Sequence, residues 1–541
     1  MSNMQFNRNK LIIRFSLVAS VLIGNYAIAQ NKLAKKENAS EVDHIEEAKK
    51  AGGVFKEEWA SIAKHTVPEW FRDAKFGIFT CIGPATLATQ NRTTEWYGFS
   101  MYDTKNVSWT NTPRGKEEPS SAFKMHEELF GGNQNEVGYK DIIKQFKPAK
   151  FNAEEWADLF HKAGAKFTGP IGVFHDNYLN WDSDVSRWNS KDMAGVDITG
   201  DLEKAIRKKD MKFLITYHHA YTWYWYYHSF AFDGGNPANQ DLYGKPHAFS
   251  SAPDSFEPYP DAEFEQRWFN ILEESALKYK PDLFWFDMGL ELLSDDIRKK
   301  AFARLLNLAE NRGQDIGMAY KIKFDVCIPP SAGILDYEKG RSTGLRPDPW
   351  LSDTPLGGWF YNTRPSRSPE AIVEILCDIV SKNGCLLLDV SPKADGTIPE
   401  DQKKTLLGIG EWLNTNGEAI YNTRPWVIDG EGPTTLKKDG HFNENWEAIY
   451  TEKDIRFTRS KDNNTLYVIV LDKPTTNKVV VKTMSTVNPY LDREIDAITL
   501  IGNENNEVKW KRGLEGLQLS FPDKAKGDHV WCYKINLKPK K

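Results

Sequence analysis

The chain reads as a (β/α)8-like barrel followed by an antiparallel β-sandwich, and three observations carry that reading. Between about 70 and 425, apolar strand-like runs alternate with amphipathic helical segments, the rhythm of a parallel sheet with helical crossovers. After about 430, short strand candidates follow one another between polar turns with no long helix, as in a small sandwich. Between these patterns, the apolar run 283–286 stops at an acid, Asp287, and the C-terminal end of a barrel strand is where such folds keep catalytic groups.

The elements follow in order. Arg8, Lys10 and Arg14 precede an apolar run at 15–23, and Ala27-Ile28-Ala29 stands before Gln30. This is the pattern of a cleaved signal peptide, 1–29, and predicts an exported protein, periplasmic or secreted. Residues 30–54, rich in Lys, Glu, Ala and Asn, read as a linker. The barrel domain is expected over 55–428. Its strands are 75–80, 167–173, 212–217, 283–286, 315–320 and 385–390; its helices are 153–165, 202–208, 264–279, 297–312, 369–382 and 402–416. In helix 153–165, Trp156, Leu159 and Phe160 share one face. The pattern does not fix the number of strands. The sandwich, 429–541, is expected to hold strands at 454–458, 465–471, 478–482, 498–500, 517–521 and 530–537.

Composition narrows the classes. A chain of 541 residues can bury a large core. A net charge of −5 argues against a nucleic-acid partner. No stretch after the leader reaches the roughly 18 apolar residues of a membrane span. Five scattered cysteines suggest neither a disulfide framework nor a zinc site. The 18 Trp and 21 Tyr suit both carbohydrate stacking and a large core.

Several residues are candidates for chemistry. Asp287 is either a nucleophile or a turn-capping acid, with Trp285 beside it as a water-poor wall. Retaining glycoside hydrolysis needs two carboxyls about 5–5.5 Å apart. The second candidate is Glu338, with Asp336 as its rival. Glu95-Trp96-Tyr97 follows the first strand, His175 follows the second, and Tyr217-His218-His219 ends the third. Adjacent strand residues face opposite sides, so His218 and His219 are not expected to bind one metal. Between Tyr221 and Phe230, seven of ten residues are aromatic, either a glycan platform or the seal of a loop.

A set of phrases resembles a known family. These are Trp70-Phe71-Arg72-Asp73-Ala74-Lys75-Phe76-Gly77-Ile78-Phe79, Glu95-Trp96-Tyr97, and Trp156-Ala157 leading through Phe160 to Ala163-Gly164-Ala165-Lys166. Trp181-Asp182-Ser183, Trp188-Asn189-Ser190 and the stretch from Tyr279 to Asp287 follow. Ser391-Pro392-Lys393-Ala394-Asp395-Gly396 and Asn416-Gly417-Glu418-Ala419-Ile420-Tyr421 complete it. In this order they look like the α-L-fucosidase family, glycoside hydrolase family 29. The resemblance implies a retaining exo-hydrolase acting on fucosylated oligo- or polysaccharides, with no metal or cofactor. It implies Asp287 as nucleophile and Glu338 as acid/base. It implies fucose contacts from Glu95, Trp96 and His175, from Tyr217 or His218, and from Trp285 and Trp359. Two departures stand out. Cys81 and Phe174 occupy positions where relatives carry imidazoles, and neither side chain replaces those hydrogen bonds. They keep open a substituted fucose, such as a sulfated one paired to Arg346 or Arg341, or L-galactose, or a non-catalytic glycan binder. The oligomeric state is not legible.

Overall fold

The computed structural model describes residues 53–539, apart from 92, 251–255, 322–326 and 445–449. The expected signal peptide and most of the expected linker lie outside the described residues.

Eight parallel strands close into a barrel in chain order. They are β1 (Phe76–Thr80), β2 (Phe167–Val173), β3 (Lys212–Tyr217), β4 (Leu283–Phe286), β5 (Gly317–Lys321), β6 (Ile334–Asp336), β7 (Trp350–Pro355) and β8 (Gly384–Val390). Each expected barrel strand is present, and β6 and β7 are additional. Helices between them start on side-chain caps. Asn152, Asp261, Ser294 and Ser368 each accept a backbone N–H three residues on, satisfying a donor the helix itself leaves unpaired.

Alternation along the strands builds the interior in layers. Leu214 on β3, Leu283 and Trp285 on β4, Ala319 on β5, Ile334 on β6, Leu351 on β7 and Leu387 on β8 belong to one apolar core inside the barrel. Phe284 and Phe286 belong to the outer core against the helices. One more step along the inward positions reaches Cys81, His218, Asp287, Lys321, Asp336, Asp353 and Asp389. An apolar plug therefore carries a polar layer at the C-terminal end, and every strand that ends inward on a polar group contributes to it.

The second domain packs a five-stranded antiparallel sheet, in the order β13-β16-β11-β10-β9, beside a three-stranded sheet, β12-β15-β14. The strands are β9 (Thr423–Glu431), β10 (Ile455–Ser460), β11 (Thr465–Val470), β12 (Lys478–Val481), β13 (Ile495–Leu500), β14 (Trp510–Gly513), β15 (Gly516–Ser520) and β16 (Trp531–Leu537). β9 straddles the boundary expected at 428. The helix Pro369–Ser381 packs on β9 and β10. There Asp378, buried beneath Lys382, Arg456 and Arg341, ties the two domains.

Candidate active site

Asp287 stands one residue beyond β4. Its backbone N–H donates to the Tyr217 carbonyl at 3.0 Å, continuing the β3–β4 pairing and holding its side chain inward. One carboxylate oxygen lies 3.2 Å from His175 Nε2 and 3.9 Å from His218 Nε2; the other lies 3.1 Å from Lys321 Nζ. Burial alone would push this carboxyl up. The Lys321 ammonium, then His218 and a hydrogen bond from His175, overturn that and hold it well below the usual carboxylate range. His175 is oriented by its Nδ1, 2.7 Å from the His218 carbonyl. Burial drives His218 down to about 3, so it is a neutral imidazole.

Lys321 is the hub. Its Nζ reaches Glu338 Oε2 at 3.2 Å and Asp353 Oδ2 at 3.1 Å, as well as Asp287. Three carboxylates overcome the desolvation of this fully buried amine and keep it charged. The ammonium lies 4.8 Å from the centre of the Trp285 ring, a cation–π contact. Behind it, Asp353 accepts a hydrogen bond from the Asp336 carboxyl and donates its backbone N–H to Asp336 at 3.1 Å. Burial pushes Asp353 up to about 6 and, with the neighbouring Asp353 charge, holds Asp336 well above the usual carboxylate range. Two buried acids thus lie side by side, and each keeps one carboxyl oxygen without a hydrogen-bond partner, Asp336 Oδ2 and Asp353 Oδ1.

Glu338 is placed differently. It follows β6 in a loop flanked on one side by β7, through Tyr337 N–H to the Leu351 carbonyl (3.0 Å) and Lys339 N–H to the Asp353 carbonyl (2.8 Å). On the other side lies the connector between domains. Glu338 donates its N–H to His441 Nδ1 at 2.9 Å and accepts from Phe442 N–H at 2.8 Å. Asn443 brackets Arg341 with two 2.8 Å hydrogen bonds. The Asp287 and Glu338 oxygens that share Lys321 are separated by no more than the two bond lengths combined, a range that includes the spacing of retaining glycosidases.

The structure brings together most of the expected site. Cys81, Glu95, Trp96, His175, His218, Trp285, Asp287, Glu338 and Trp359 line one pocket, with Phe79, Phe174, Met288, Lys321, Asp353 and Phe360. Tyr217 is a correction. It points outward, stacks on Phe284 and Phe286, and bonds Ser275 at 2.8 Å, because parity sends the next residue, His218, into the barrel. Arg346 is another: it lines a separate hollow with Asn383 and Arg424, with its guanidinium over Tyr337. Arg341 is buried against Asp378 and Tyr450, and neither arginine reaches the pocket. Asp336 sits behind Asp353 and does not line the pocket. The aromatic run resolves as a loop seal, with Tyr221 and Trp225 packed behind Trp96 and His175. Cys81 fills the first imidazole position, its backbone N–H on Asp389 at 3.1 Å; Phe174 fills the second, edge-on to Trp225. Lys321 and Asp353 escaped the sequence reading. The signal was parity: Lys321 lies two residues beyond the inward Ala319 and Asp353 two beyond the inward Leu351.

Comparison with known proteins agrees with this arrangement. The family model for alpha-L-fucosidase matches residues 43–418, and that for the alpha-L-fucosidase C-terminal domain matches 450–536. The chain is 27% identical over 504 residues to tissue alpha-L-fucosidase of Rattus norvegicus, covering 90% of this chain and 94% of that one. It is 25% identical over 483 residues to alpha-L-fucosidase of Dictyostelium discoideum, covering 86% and 88%. Its fold superposes on the crystal structure of Thermotoga maritima alpha-fucosidase in complex with fucose with a TM-score of 0.66, at 26% identity, covering 89% of this chain and 100% of that one. The chain therefore belongs to the alpha-L-fucosidase family of glycoside hydrolases, with the barrel and C-terminal sheet domain of that family.

Proposed function

We propose that the protein is an exported, retaining exo-α-L-fucosidase that removes terminal fucosyl residues from fucosylated glycans through a covalent intermediate. The observation that carries this reading is the single Lys321 ammonium bridging Asp287 and Glu338 across an aromatic pocket. In the first step an Asp287 oxygen attacks the anomeric carbon, and the bond to the leaving oxygen breaks as protonated Glu338 gives that oxygen its proton. Asp287 is now an ester and has lost its charge. Lys321 is left with Asp353 and the newly anionic Glu338, so the same cation that held the nucleophile ionised then holds the base. In the second step Glu338 takes a proton from water, the water oxygen attacks the anomeric carbon, and the ester bond breaks to restore the Asp287 carboxylate. His175 and the neutral His218 face the carboxylate and offer hydrogen bonds to sugar hydroxyls. Glu95 and Trp96 close the side of the pocket.

Plain fucose is favoured over a sulfated one in the pocket itself, because Arg341 and Arg346 lie elsewhere and Lys321 is already engaged by Asp287, Asp353 and Glu338. Export rests on the leader alone. N-terminal sequencing of the mature protein is expected to begin near Gln30. The catalytic reading is tested with an aryl α-L-fucoside followed by proton NMR. The first fucose released is expected as the α anomer. Release of the β anomer overturns retention, and no release overturns the fucosidase reading.

A further inference from the structure

A second cleft opens directly from the pocket. It has a volume of about 380 Å³ and shares Glu95, Trp96, Met288, Glu338 and Trp359 with it. Its outer part is made by Trp109, Arg114, Lys339 and Phe442. We infer that this cleft is the subsite for the first sugar ring of the leaving group, that the interdomain connector supplies its outer wall through Phe442, and that the ring it takes carries an acidic substituent, a sulfate ester or a carboxylate. The inference rests on the fucosidase reading and adds to it the class of leaving group.

Three independent features converge. First, position: the leaving oxygen must lie against Glu338, and the space beyond Glu338 is this cleft. Second, backbone: Phe442 has φ +56° and Lys339 has φ +44°, a region that side chains larger than Asn rarely occupy. Hydrogen bonds hold both residues there, from Phe442 N–H to the Glu338 carbonyl and from Glu444 N–H to the Lys339 carbonyl. The result is a phenyl ring left 57% exposed at the cleft, where burial would otherwise be favourable. An aromatic ring held in that way, lining the same cleft as Trp109 and Trp359, suits the apolar face of a pyranose. Third, charge: Lys339 Nζ lies 5.0 Å from the Trp359 ring centre, and Arg114 is exposed. Neither makes an ion pair among the described residues. The acids of the cleft are committed. The Asp103 carboxylate accepts the backbone N–H groups of Lys105, Asn106 and Val107, each at 2.9 Å, and Glu338 is paired to Lys321. Glu95 stands at the inner end, shared with the fucose pocket. The outer wall therefore offers two cations outside any ion pair among the described residues, while Asp103 is turned to its own backbone and Glu95 and Glu338 stand at the inner end; a sulfate or carboxylate is the group that such cations pair. The connector lies between the two family matches, which end at 418 and resume at 450.

The test compares three substrates: α-L-fucosyl fluoride, whose leaving group is one atom, a neutral α-L-fucosyl disaccharide, and the same disaccharide sulfated on the leaving ring. For the wild type, kcat/KM is expected to be at least tenfold higher on the sulfated than on the neutral disaccharide. Lys339→Gln should reduce that ratio to threefold or less. Phe442→Ala should lower kcat/KM on both disaccharides about tenfold relative to the fluoride, and Phe442→Tyr should restore it, which separates loss of the ring from loss of the fold. A sulfated-to-neutral ratio near one overturns the acidic-ring assignment. Equal effects of Phe442→Ala on fluoride and disaccharides overturn the wall. Failure of the wild type to hydrolyse the fluoride overturns the fucosidase reading instead, so the two failures are distinguishable.

Discussion

The two carboxylates proposed as nucleophile and acid/base are held by opposite means. Asp287 belongs to the barrel: its backbone extends a strand, its carboxylate is buried, and two imidazoles and an ammonium surround it. Glu338 belongs to a loop, is more exposed, and is pinned between β7 and a connector about a hundred residues further along the chain. The nucleophile must be a fixed anion at one distance from one carbon. The acid/base must meet a leaving oxygen, then a water, and its surroundings are shared with whatever glycan departs. A rigid strand end suits the first task, and a loop set by a second segment suits the second.

The sharpest way to break this comparison is at Asp287. Asp287→Asn removes the only group that can form the glycosyl ester, and kcat should fall by about 10⁴-fold or more on every fucoside, good leaving groups included. Circular dichroism should remain that of the wild type, since the amide keeps the shape and the His175 contact. Near-wild-type turnover by folded protein would remove Asp287 from its role. Azide added to Asp287→Ala should yield β-fucosyl azide, the inverted product.

Glu338→Ala should act more selectively. General acid–base catalysis contributes about 10²- to 10⁴-fold, so that range is expected on poor leaving groups, with a much smaller loss for the first step on good ones. Here azide should give the α product, because it attacks the intermediate from the opposite face. Wild-type behaviour on poor leaving groups would show that another acid supplies the proton.

This difference also decided what the sequence could show. Asp287 was legible because an apolar run ended in an acid, and one strand's pattern contains everything that places it. Glu338 was a candidate beside its rival Asp336, and the family resemblance chose between them, since the connector that flanks it lies about a hundred residues away in sequence. β6 was missed because it has three residues, and β7 because Ser352, Asp353, Thr354 and Pro355 do not read as an apolar run. Those polar residues are tolerated because the barrel's end needs a polar layer. The strand expectation at 315–320 stopped one residue short of Lys321, and that residue ties both halves of the site together. Tyr217 was a parity ambiguity that only the register of β3 resolves.

Two buried imidazoles that follow β3, His218 toward the nucleophile and His219 against Trp268, give a third, thermodynamic handle. Burial holds both His218 and His219 at about 3, against 6.5 for an ordinary imidazole. Between pH 3 and 6.5 the unfolded chain therefore binds more protons than the folded one, and stability rises with pH. The contribution is complete above pH 6.5 and is lost as the pH falls, by up to about 1.4 kcal/mol per pH unit for each histidine. The depressed Asp287 carboxyl acts only at lower pH, below its ordinary value, and does not contribute to this window. Raised carboxyls such as Asp353 and Glu374 act in the opposite sense over the same window, so the His219 share is read as a difference: between pH 7.5 and 5.5 in denaturant unfolding, His219→Gln should lose less stability, or gain more, than the wild type. An unchanged slope in that variant would mean that His219 is not held neutral by the fold.

The smallest expected effect tests the acid/base side most directly. His441 accepts the Glu338 backbone N–H through Nδ1, and its ring lies edge-on to Tyr337. His441→Ala removes that acceptor but leaves the Phe442 and Glu444 amides donating to the loop. One hydrogen bond of this kind is worth about 1 kcal/mol, somewhat more when its partner is left unsatisfied. A loosened Glu338 should therefore lower kcat/KM about tenfold on fucosides with poor leaving groups, where its proton is needed. Fluoride release depends on Asp287 and should fall much less, since strand β4 is held between β3 and β5. His441→Asn offers an acceptor on a shorter side chain and should recover part of the loss. Equal losses on both substrates would mean that the connector supports the whole barrel mouth, and the division between a strand-held nucleophile and a connector-held acid/base would fail.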